Sequence, residues 1–212
     1  MTPVVVKLGG STADAAEMAR WVDALSQATL PLVVVPGGGP FADQVRVAQQ
    51  RMGFSDAAAH AMAVLAMEQF AHAVLDGRPR LIAARTAGEI GQALADNRVP
   101  VWLPSRMALA ADDIRQSWDV TSDSLSAWLA GRLGASALVL IKQSMDFSGG
   151  DTPESLSRRG VVDAALAGML PQGVALRLAG PADLAGAVAA LAAGKLFGVP
   201  VPSPAAHARR AG

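Results

Sequence analysis

The sequence predicts an α/β protein built around a mostly parallel β-sheet, and three features support this. Short apolar runs rich in β-branched residues alternate with alanine-rich segments of helical character. These runs are apolar on both faces, as parallel strands covered by helices tend to be. The chain has 212 residues, of which 51% are hydrophobic, and this is enough for one sizeable domain.

The apolar runs define the predicted strands, and the spacing of apolar residues defines the helices. Strands are expected at residues 3–8, 31–35, 80–84, 99–103, 137–141 and 174–178. The segments 18–25 and 125–133 place apolar residues at i, i+3 and i+4 and then at i+7 or i+8, the spacing of an amphipathic helix. The longest helix is predicted over 55–76, where Ser55 and Asp56 are candidate caps.

One domain is expected over residues 1–198, followed by a proline- and alanine-rich tail over 199–212. The segment 145–160, MDFSGGDTPESLSRRG, has little periodicity and is interpreted as a long loop after the fifth strand. Long loops in compact domains are often functional and otherwise simply mobile, and the sequence leaves both open.

The composition argues against several classes of function. Eighteen basic and eighteen acidic residues cancel, so a globally basic surface for nucleic acid is not predicted. The chain has no cysteine and its three histidines are scattered, so neither disulfides nor a zinc motif are expected. No secretory leader is evident, and no apolar run approaches the roughly 18 residues of a membrane helix. We therefore expect a soluble cytoplasmic protein without nucleic-acid or membrane partners.

Two glycine clusters each follow a predicted strand directly. The strings are VVVKLGGS at 4–11, with Gly9 and Gly10, and LVVVPGGG at 32–39, which ends in three glycines (Gly37, Gly38 and Gly39). Ligands of open α/β sheets bind at the carboxyl ends of the strands, and glycine allows close approach of the backbone to an anion. Neither cluster fits the P-loop or the dinucleotide fingerprint, so each is a weak signal alone.

Lys7 is a charged residue inside the first apolar strand. A lysine is a point charge on a flexible stem and is suited to a phosphate oxygen. The alternative is a lysine on an edge strand, which would deter aggregation. The sequence leaves both interpretations open.

The string WDVTSDSLSAWLAGRLGASALVLIK, residues 118–142, carries the third group of polar residues. Asp119 and Asp123 lie four residues apart before a predicted helix, and the following strand ends in Lys142. The plain interpretation is that Ser122 or Asp123 caps the helix. A carboxylate here could also orient lysines or hold Mg²⁺ beside phosphates. Two lysines at strand ends, a glycine cradle and an aspartate together indicate phosphoryl transfer.

The strings KLGGS, VVVPGGGPFADQVR and VTSDSLSAWLAGRLGASALVLIK, in this order, resemble the amino acid kinase superfamily. The resemblance implies a three-layer αβα sandwich with an acceptor site at the N-terminal glycines. It also implies an ATP site toward the C-terminal half, with Mg²⁺ carried by ATP and no confident metal ligand from the protein. A small phosphorylated substrate and a homo-oligomer are expected on the same ground.

The resemblance also implies roles for individual residues. Lys7 would neutralise the transferring phosphoryl group, Asp123 would orient the lysines, and Lys142 would touch the ATP phosphates. The implied substrate-binding residues are Gly9, Gly10, Ser11, Gly37, Gly38, Gly39 and Arg46. The implied nucleotide-binding residues are Asp119, Thr121, Ser122, Lys142 and Asp146.

Within the superfamily, the strings PGGGPFADQVR, HAMAVLAMEQFA and WDVTSDSLSAWLA resemble the kinases of methanofuran and methylofuran synthesis. That branch converts an aminomethylfuran-methyl phosphate to its diphosphate, and Arg46 would bind the acceptor's phosphate; otherwise it is a solvent-facing helix arginine. Asp43, Glu68 and Trp118 are candidates for the cationic amine. Alternatives are a uridylate-type nucleoside monophosphate kinase and a non-catalytic oxyanion-binding oligomer like the molybdate storage proteins.

Two details depart from this pattern or stay open. Uridylate kinases carry a second lysine before a VDG motif, whereas this chain reads KQSMDF; Arg158 or Arg159 could substitute. His60 is interpreted as a structural histidine, with an acceptor-phosphate ligand as the alternative. Trp21, Phe41, Met52 and Phe54 are candidates for an apolar subunit interface.

Overall fold

A computed structural model describes residues 2–202, and it shows a seven-stranded sheet in the order β3-β4-β2-β1-β5-β6-β7. The first six strands are parallel, and β7 runs antiparallel to β6. The strands are β1 Val4–Leu8, β2 Leu32–Pro36, β3 Leu81–Ala84, β4 Val99–Trp102, β5 Ala137–Ile141, β6 Ala175–Ala179 and β7 Val199–Val201. The predicted mostly parallel sheet is confirmed.

Helices cover both faces of this sheet and complete the αβα sandwich. They are α1 Met18–Ser26, α2 Gly39–Met52, α3 Asp56–Leu75, α4 Ala87–Ala95, α5 Ser105–Ala108, α6 Ser122–Leu133, α7 Pro153–Arg158, α8 Leu166–Met169 and α9 Leu184–Ala192, with 3-10 turns at Gly10–Thr12 and Pro181–Asp183. Val5 packs in the core beneath α6, whereas Val4 and Val6 pack in the core beneath α1 and α9. The strands are therefore buried on both faces, which is why they are apolar throughout.

The start of α3 follows the predicted cap. The Ser55 hydroxyl accepts a hydrogen bond from Ala58 N, and Asp56 lies in the first turn. Helix α3 is long and apolar enough to cross a membrane, judged by length and composition alone. The expectation that no apolar run approaches the length of a membrane helix is therefore wrong for α3. A core helix meets the same criterion, and Val64, Phe70 and Val74 of α3 are buried in the core.

Lys7 lies on a central strand. In the register of the sheet it is flanked by Val35 of β2 and Leu140 of β5, and it is only 5% exposed. The interpretation of Lys7 as an edge-strand residue is therefore wrong. Since side chains alternate between faces, Lys7 points to the same face as Val5, toward α6.

Three local details differ from expectation. Val199–Val201, which begins the predicted tail, forms β7; residues 203–212, with His207, lie outside the described part. The segment 145–160 is partly helical, because α7 begins with a capping box between Thr152 and Ser155. Trp21 is fully buried and cannot supply interface surface, whereas Phe41 and Met52 are exposed.

Candidate active site

The two glycine loops lie against each other at the carboxyl edge of the sheet. Gly37 N donates to Leu8 O at 2.8 Å, so the chain leaving β2 is bonded to the end of β1. A Cβ added at Gly37 would lie 2.3 Å from Gly10 N, and one added at Gly10 would lie 2.5 Å from Gly39 N. Any side chain at these positions would force the loops apart, which explains why glycine occupies both.

Helix α2 begins directly at the second loop. Gly39, the first residue of α2, has a φ of +55°, a left-handed conformation that glycine adopts without strain, and Pro40 follows it in the first turn. No side chain of the described residues caps this end, so its first N–H groups lack a side-chain partner. Such an end favours an anion through its N–H groups and the helix dipole.

Lys7, Asp123 and Lys142 form a buried cluster beside these loops. Lys7 Nζ lies 2.8 Å from Asp123 Oδ1, and Lys142 Nζ lies 2.5 Å from Asp123 Oδ2. The sheet register explains the meeting: Lys7 is paired with Leu140, and Lys142 lies two residues further along the neighbouring strand, on the same face. The carboxylate of Asp123 comes down from the first turn of α6.

The charges of this cluster are strongly coupled. Burial alone would raise the pKa of Asp123, but the ammonium groups of Lys7 and Lys142 hold that pKa well below its usual range. The pKa of Lys142 is lowered, first by burial and then by repulsion from Lys7, although the attraction of Asp123 opposes this shift. Asp123 thus remains ionised at neutral pH and holds the two ammonium groups side by side.

A pocket of about 200 Å³ opens on the α2 side of the cluster. Its polar lining comes from the glycine loops, from α2 and α3, and from the segment before α6. The lining residues are Gly10, Ser11, Gly38, Gly39, Ala42, Asp43, Arg46, His60, Ala63, Val64, Met67, Ser117, Trp118, Val120, Thr121, Ser122 and Leu125. We call this the α2 pocket.

Arg46 and His60 are the basic side chains of the α2 pocket. The guanidinium carbon of Arg46 lies 3.8 Å from the ring centroid of Trp118, whose Nε1 donates to Gln49 Oε1 at 2.6 Å. His60 is buried, and within residues 2–202 its Nε2 has no hydrogen-bond partner. Burial lowers the pKa of His60 despite an opposing hydrogen bond with the Ser117 backbone, so the ring is neutral at pH 7. His60 also lines the α2 pocket, so its unpartnered nitrogen lies in the wall of that space.

A second, more open cleft of about 510 Å³ lies on the β5 side of the cluster, and Ser11 borders both spaces. The other lining residues of this β5 cleft are Lys142, Gln143, Ser144, Asp146, Arg159, Gly160 and Val161. Arg159 Nη2 forms an ion pair with Asp151 Oδ1 at 2.6 Å. Lys142 and Arg159 therefore give the β5 cleft two cations.

The predicted nucleotide-binding residues do not all line the same space. Thr121 and Ser122 line the α2 pocket rather than the β5 cleft, where Lys142 and Asp146 lie. Asp119 forms an exposed ion pair with Arg115, and neither lining within the described chain includes it.

Two further assignments follow for residues expected near the acceptor. Glu68 accepts a hydrogen bond from Ser105 N at 2.8 Å, whereas Asp43 and Trp118 line the α2 pocket. Sequence reasoning missed Asp163, whose carboxylate binds the start of α6. No local pattern in the sequence VVDAALAG predicts that role.

The cluster leaves little for a metal ion to bind directly. Both oxygens of Asp123 face lysines, and residues 2–202 contain no group of three or more acidic, histidine or cysteine side chains suited to a metal. Ser144 and Asp146 in the β5 cleft are oxygen donors of the kind Mg²⁺ prefers. The residues present therefore fit a metal that arrives on a phosphate ligand.

The depressed pKa of Asp123 predicts a specific acid sensitivity. A carboxylate with a lowered folded pKa stabilises the fold above pH about 4, and this contribution is lost as the pH falls further. We expect the unfolding free energy of the wild type to fall between pH 5 and 3. Asp123→Asn should weaken this dependence by up to about 1.4 kcal/mol per pH unit, equivalent to one proton.

Urea unfolding followed by circular dichroism at pH 5, 4 and 3 measures this effect. Asp23→Asn is the control, since Asp23 is an exposed carboxylate paired with Arg78. An equal pH dependence in the wild type and Asp123→Asn would contradict the coupling described for the cluster.

Comparison with known proteins agrees with this geometry. A relative from Methanocaldococcus jannaschii, a (5-(aminomethyl)furan-3-yl)methyl phosphate kinase, is 29% identical over 138 residues, which are 64% of this chain and 63% of the relative's length. The uridylate kinase of Archaeoglobus fulgidus superposes with a TM-score of 0.68 at 16% identity, over 95% of this chain and 100% of that one.

The UMP kinase of Ureaplasma parvum has a TM-score of 0.60 at 13% identity, over 85% of this chain and 90% of its own. These two likenesses establish the fold. Residues 2–145, which include β1 to β5, the glycine loops and the Lys7–Asp123–Lys142 cluster, match the amino acid kinase family. The chain therefore belongs to the amino acid kinase family.

Proposed function

We propose that this protein transfers the γ-phosphoryl group of ATP to the phosphate of a small acceptor, an aminomethylfuran-methyl phosphate, to give a diphosphate. The observation that carries the proposal is that the Lys7–Asp123–Lys142 cluster adjoins both spaces: Lys142 lines the β5 cleft, and Ser122, the neighbour of Asp123, lines the α2 pocket. Two substrates bound in these spaces would meet at the two ammonium groups. A location in the cytoplasm, where ATP is available, belongs to the same proposal.

The proposed reaction needs no nucleophile from the protein. An oxygen of the acceptor's phosphate attacks the γ-phosphorus of ATP, the bond from that phosphorus to the β,γ-bridging oxygen breaks, and ADP leaves with the electron pair. Lys7 and Lys142 neutralise the charge of the transferring group, and Asp123 keeps them in place. Asp146, which lines the same cleft, would help to hold a Mg²⁺ ion brought by ATP, and that ion would supply further charge neutralisation.

The α2 pocket supports a compact acceptor with one charged end. Its inner wall is apolar, formed by Ala63, Val64, Met67 and Leu125, and it suits a small ring. The open N–H groups of α2 and the guanidinium of Arg46 would bind the phosphate. The 29% identical relative, which is named for a furan phosphate, supports the same acceptor class.

The remaining polar groups of the α2 pocket have natural partners in this acceptor. Nε2 of His60 has no partner, and it would donate to a phosphate oxygen once the negative charge of a bound phosphate favours the protonated ring. Asp43 is the carboxylate available to a cationic amine. A uracil ring would instead press its imide and carbonyl groups against the apolar inner wall, which lowers affinity because buried polar groups need partners.

Self-association is also part of the proposal. Phe41 and Met52 on α2 and Met62 and Leu65 on α3 are exposed apolar side chains. Neighbouring apolar residues of this kind are common at subunit contacts.

Turnover should depend on Lys7. We expect Lys7→Ala to lower kcat by about 100-fold or more, because a donor aimed at transition-state charge is lost, while circular dichroism remains native. A coupled assay of ADP release with ATP and the furan phosphate measures this. Lys195→Ala, which removes the exposed lysine of the chain, is the control and should be unchanged. An unchanged kcat in Lys7→Ala would refute the role of Lys7.

The acceptor is tested in the same assay. With furan phosphate and UMP supplied in parallel, the proposal predicts a higher kcat/KM for the furan phosphate. Preference for UMP would establish the uridylate-type alternative. Purified protein that retains a bound oxometalate and transfers phosphate to neither acceptor would establish the storage alternative.

Arg159 should contribute to ATP binding. Arg159 and its neighbour Arg158 are both exposed, but the lining of the β5 cleft includes Arg159 and, within the described residues, does not include Arg158. A hydrogen bond to a charged group contributes roughly 1.5–3 kcal/mol, so Arg159→Ala should raise KM for ATP about tenfold or more. Arg158→Ala, the matched control, should leave KM for ATP within about twofold of wild type. Equal effects of the two variants would remove Arg159 from the nucleotide site.

A further inference from the structure

The carboxylate of Asp163 is bonded to the start of α6 from outside that helix. Asp163 Oδ2 accepts hydrogen bonds from Thr121 N and Ser124 N, both at 2.9 Å. Asp163 Oδ1 accepts from the Thr121 hydroxyl at 2.6 Å. Asp163 lies between α7 and α8, so the contact ties the C-terminal part of the chain to the helix that carries Asp123.

The hydrogen bonds accepted by Asp163 come from backbone groups on both sides of Asp123. Thr121 N and Ser124 N belong to the backbone on either side of Asp123, so both flanks of this residue are anchored to one carboxylate. The backbone N–H of Asp163 also donates to Asp123 Oδ2 at 3.3 Å, the oxygen that meets Lys142. A single residue thus constrains the backbone around Asp123 and contacts its side chain.

Simple helix capping does not account for this choice of side chain. A neutral serine or asparagine would satisfy one N–H of the first turn without placing a second carboxylate beside Asp123. Burial, and then the charge of Asp123, raise the pKa of Asp163, which means that its ionised form is held at a cost to stability. A carboxylate that is kept despite this cost points to a use for its charge and its two oxygens.

The charge of Asp163 also acts on Lys142. The charged groups that face Lys142 are Lys7 from β1, Asp123 from α6 and Asp163, and Asp146 and Arg159 share its cleft. The attraction of Asp163 opposes the lowering of the Lys142 pKa. Without it, Lys142 would lose its proton at a lower pH.

We propose that Asp163 is a positioning residue of the kinase: it fixes the backbone around Asp123 and supplies the second negative charge that the paired lysines require. The proposal rests on the proposed phosphoryl transfer, because it assigns to Asp163 the alignment of the groups that would meet the transferring phosphate. Asp163 acts through Asp123 and Lys142 and is not itself expected to touch a substrate.

The test compares Asp163→Asn with wild type in kcat, in both KM values and in the pH dependence of kcat between pH 6 and 10. A displacement of about 1 Å in a catalytic group can cost 100-fold in rate. We expect Asp163→Asn to lower kcat about 10- to 100-fold, to change each KM less than about threefold, and to move the alkaline decline of kcat to lower pH. Thr121→Val, which removes one donor to Asp163, should lower kcat in the same direction.

Glu89→Gln is the matched control. The Glu89 carboxylate accepts a hydrogen bond from Arg85 N at 2.6 Å and so binds the start of α4, which packs against β3 and β4 rather than β1 and β5. It should leave kcat and its pH dependence unchanged. A wild-type pH profile and kcat in Asp163→Asn, or a loss no larger than that of Glu89→Gln, would overturn the inference.

A second readout separates this inference from the proposed reaction. If wild-type protein shows no turnover with any acceptor, the proposed function fails, and the pKa of Lys142 from NMR of labelled lysine still tests Asp163. A lower Lys142 pKa in Asp163→Asn than in wild type supports the inference. An unchanged Lys142 pKa in that variant overturns it.

Discussion

Two ammonium groups lie side by side at the centre of this protein, and one carboxylate keeps them there. Lys7 and Lys142 are almost fully buried, and both bond the same Asp123 side chain. Like charges in a poorly solvated site repel each other, so the pair persists only while Asp123 stays ionised between them. The glycine loops, the placement of α6 and the two flanking spaces are all arranged around this cluster.

Sheet topology makes the cluster available to ligands on both sides. β1 lies between β2 and β5, so the chain segments leaving all three strands reach the same edge. The loop after β2 starts α2 and one pocket, and the segment after β5 forms the other cleft. A phosphoryl group between these two spaces would need to move only a short way past fixed charges, which suits a transfer catalysed by positioning.

Much of this arrangement could be predicted from the sequence, because the relevant signals are local. Strands ending in GG, PGGG and Lys142 predict one sheet edge with phosphate chemistry, and the register confirms that the three ends meet.

Long-range partners could not be predicted. Asp163 reaches α6 across about 40 residues of sequence, and Arg159 rather than Arg158 lines the β5 cleft because of where α7 ends. The position of Thr121 and Ser122 in the lining of the α2 pocket likewise depends on how α6 packs. The full sequence holds one further signal: of eighteen basic residues only Lys7, Lys142 and Lys195 are lysines, and two of them form this site.

Because the chain has so few lysines, the charge state of the Lys7–Asp123–Lys142 cluster can be measured directly. Protein with isotope-labelled lysine should give three side-chain NMR signals, with the exposed Lys195 as the internal reference. The account predicts that the pKa of Lys142 lies below its ordinary value in wild type and falls further in Asp123→Asn, since repulsion from Lys7 is then no longer balanced. A Lys142 that titrates normally, or whose pKa is unchanged in Asp123→Asn, would contradict the claim that Asp123 holds two charged lysines together.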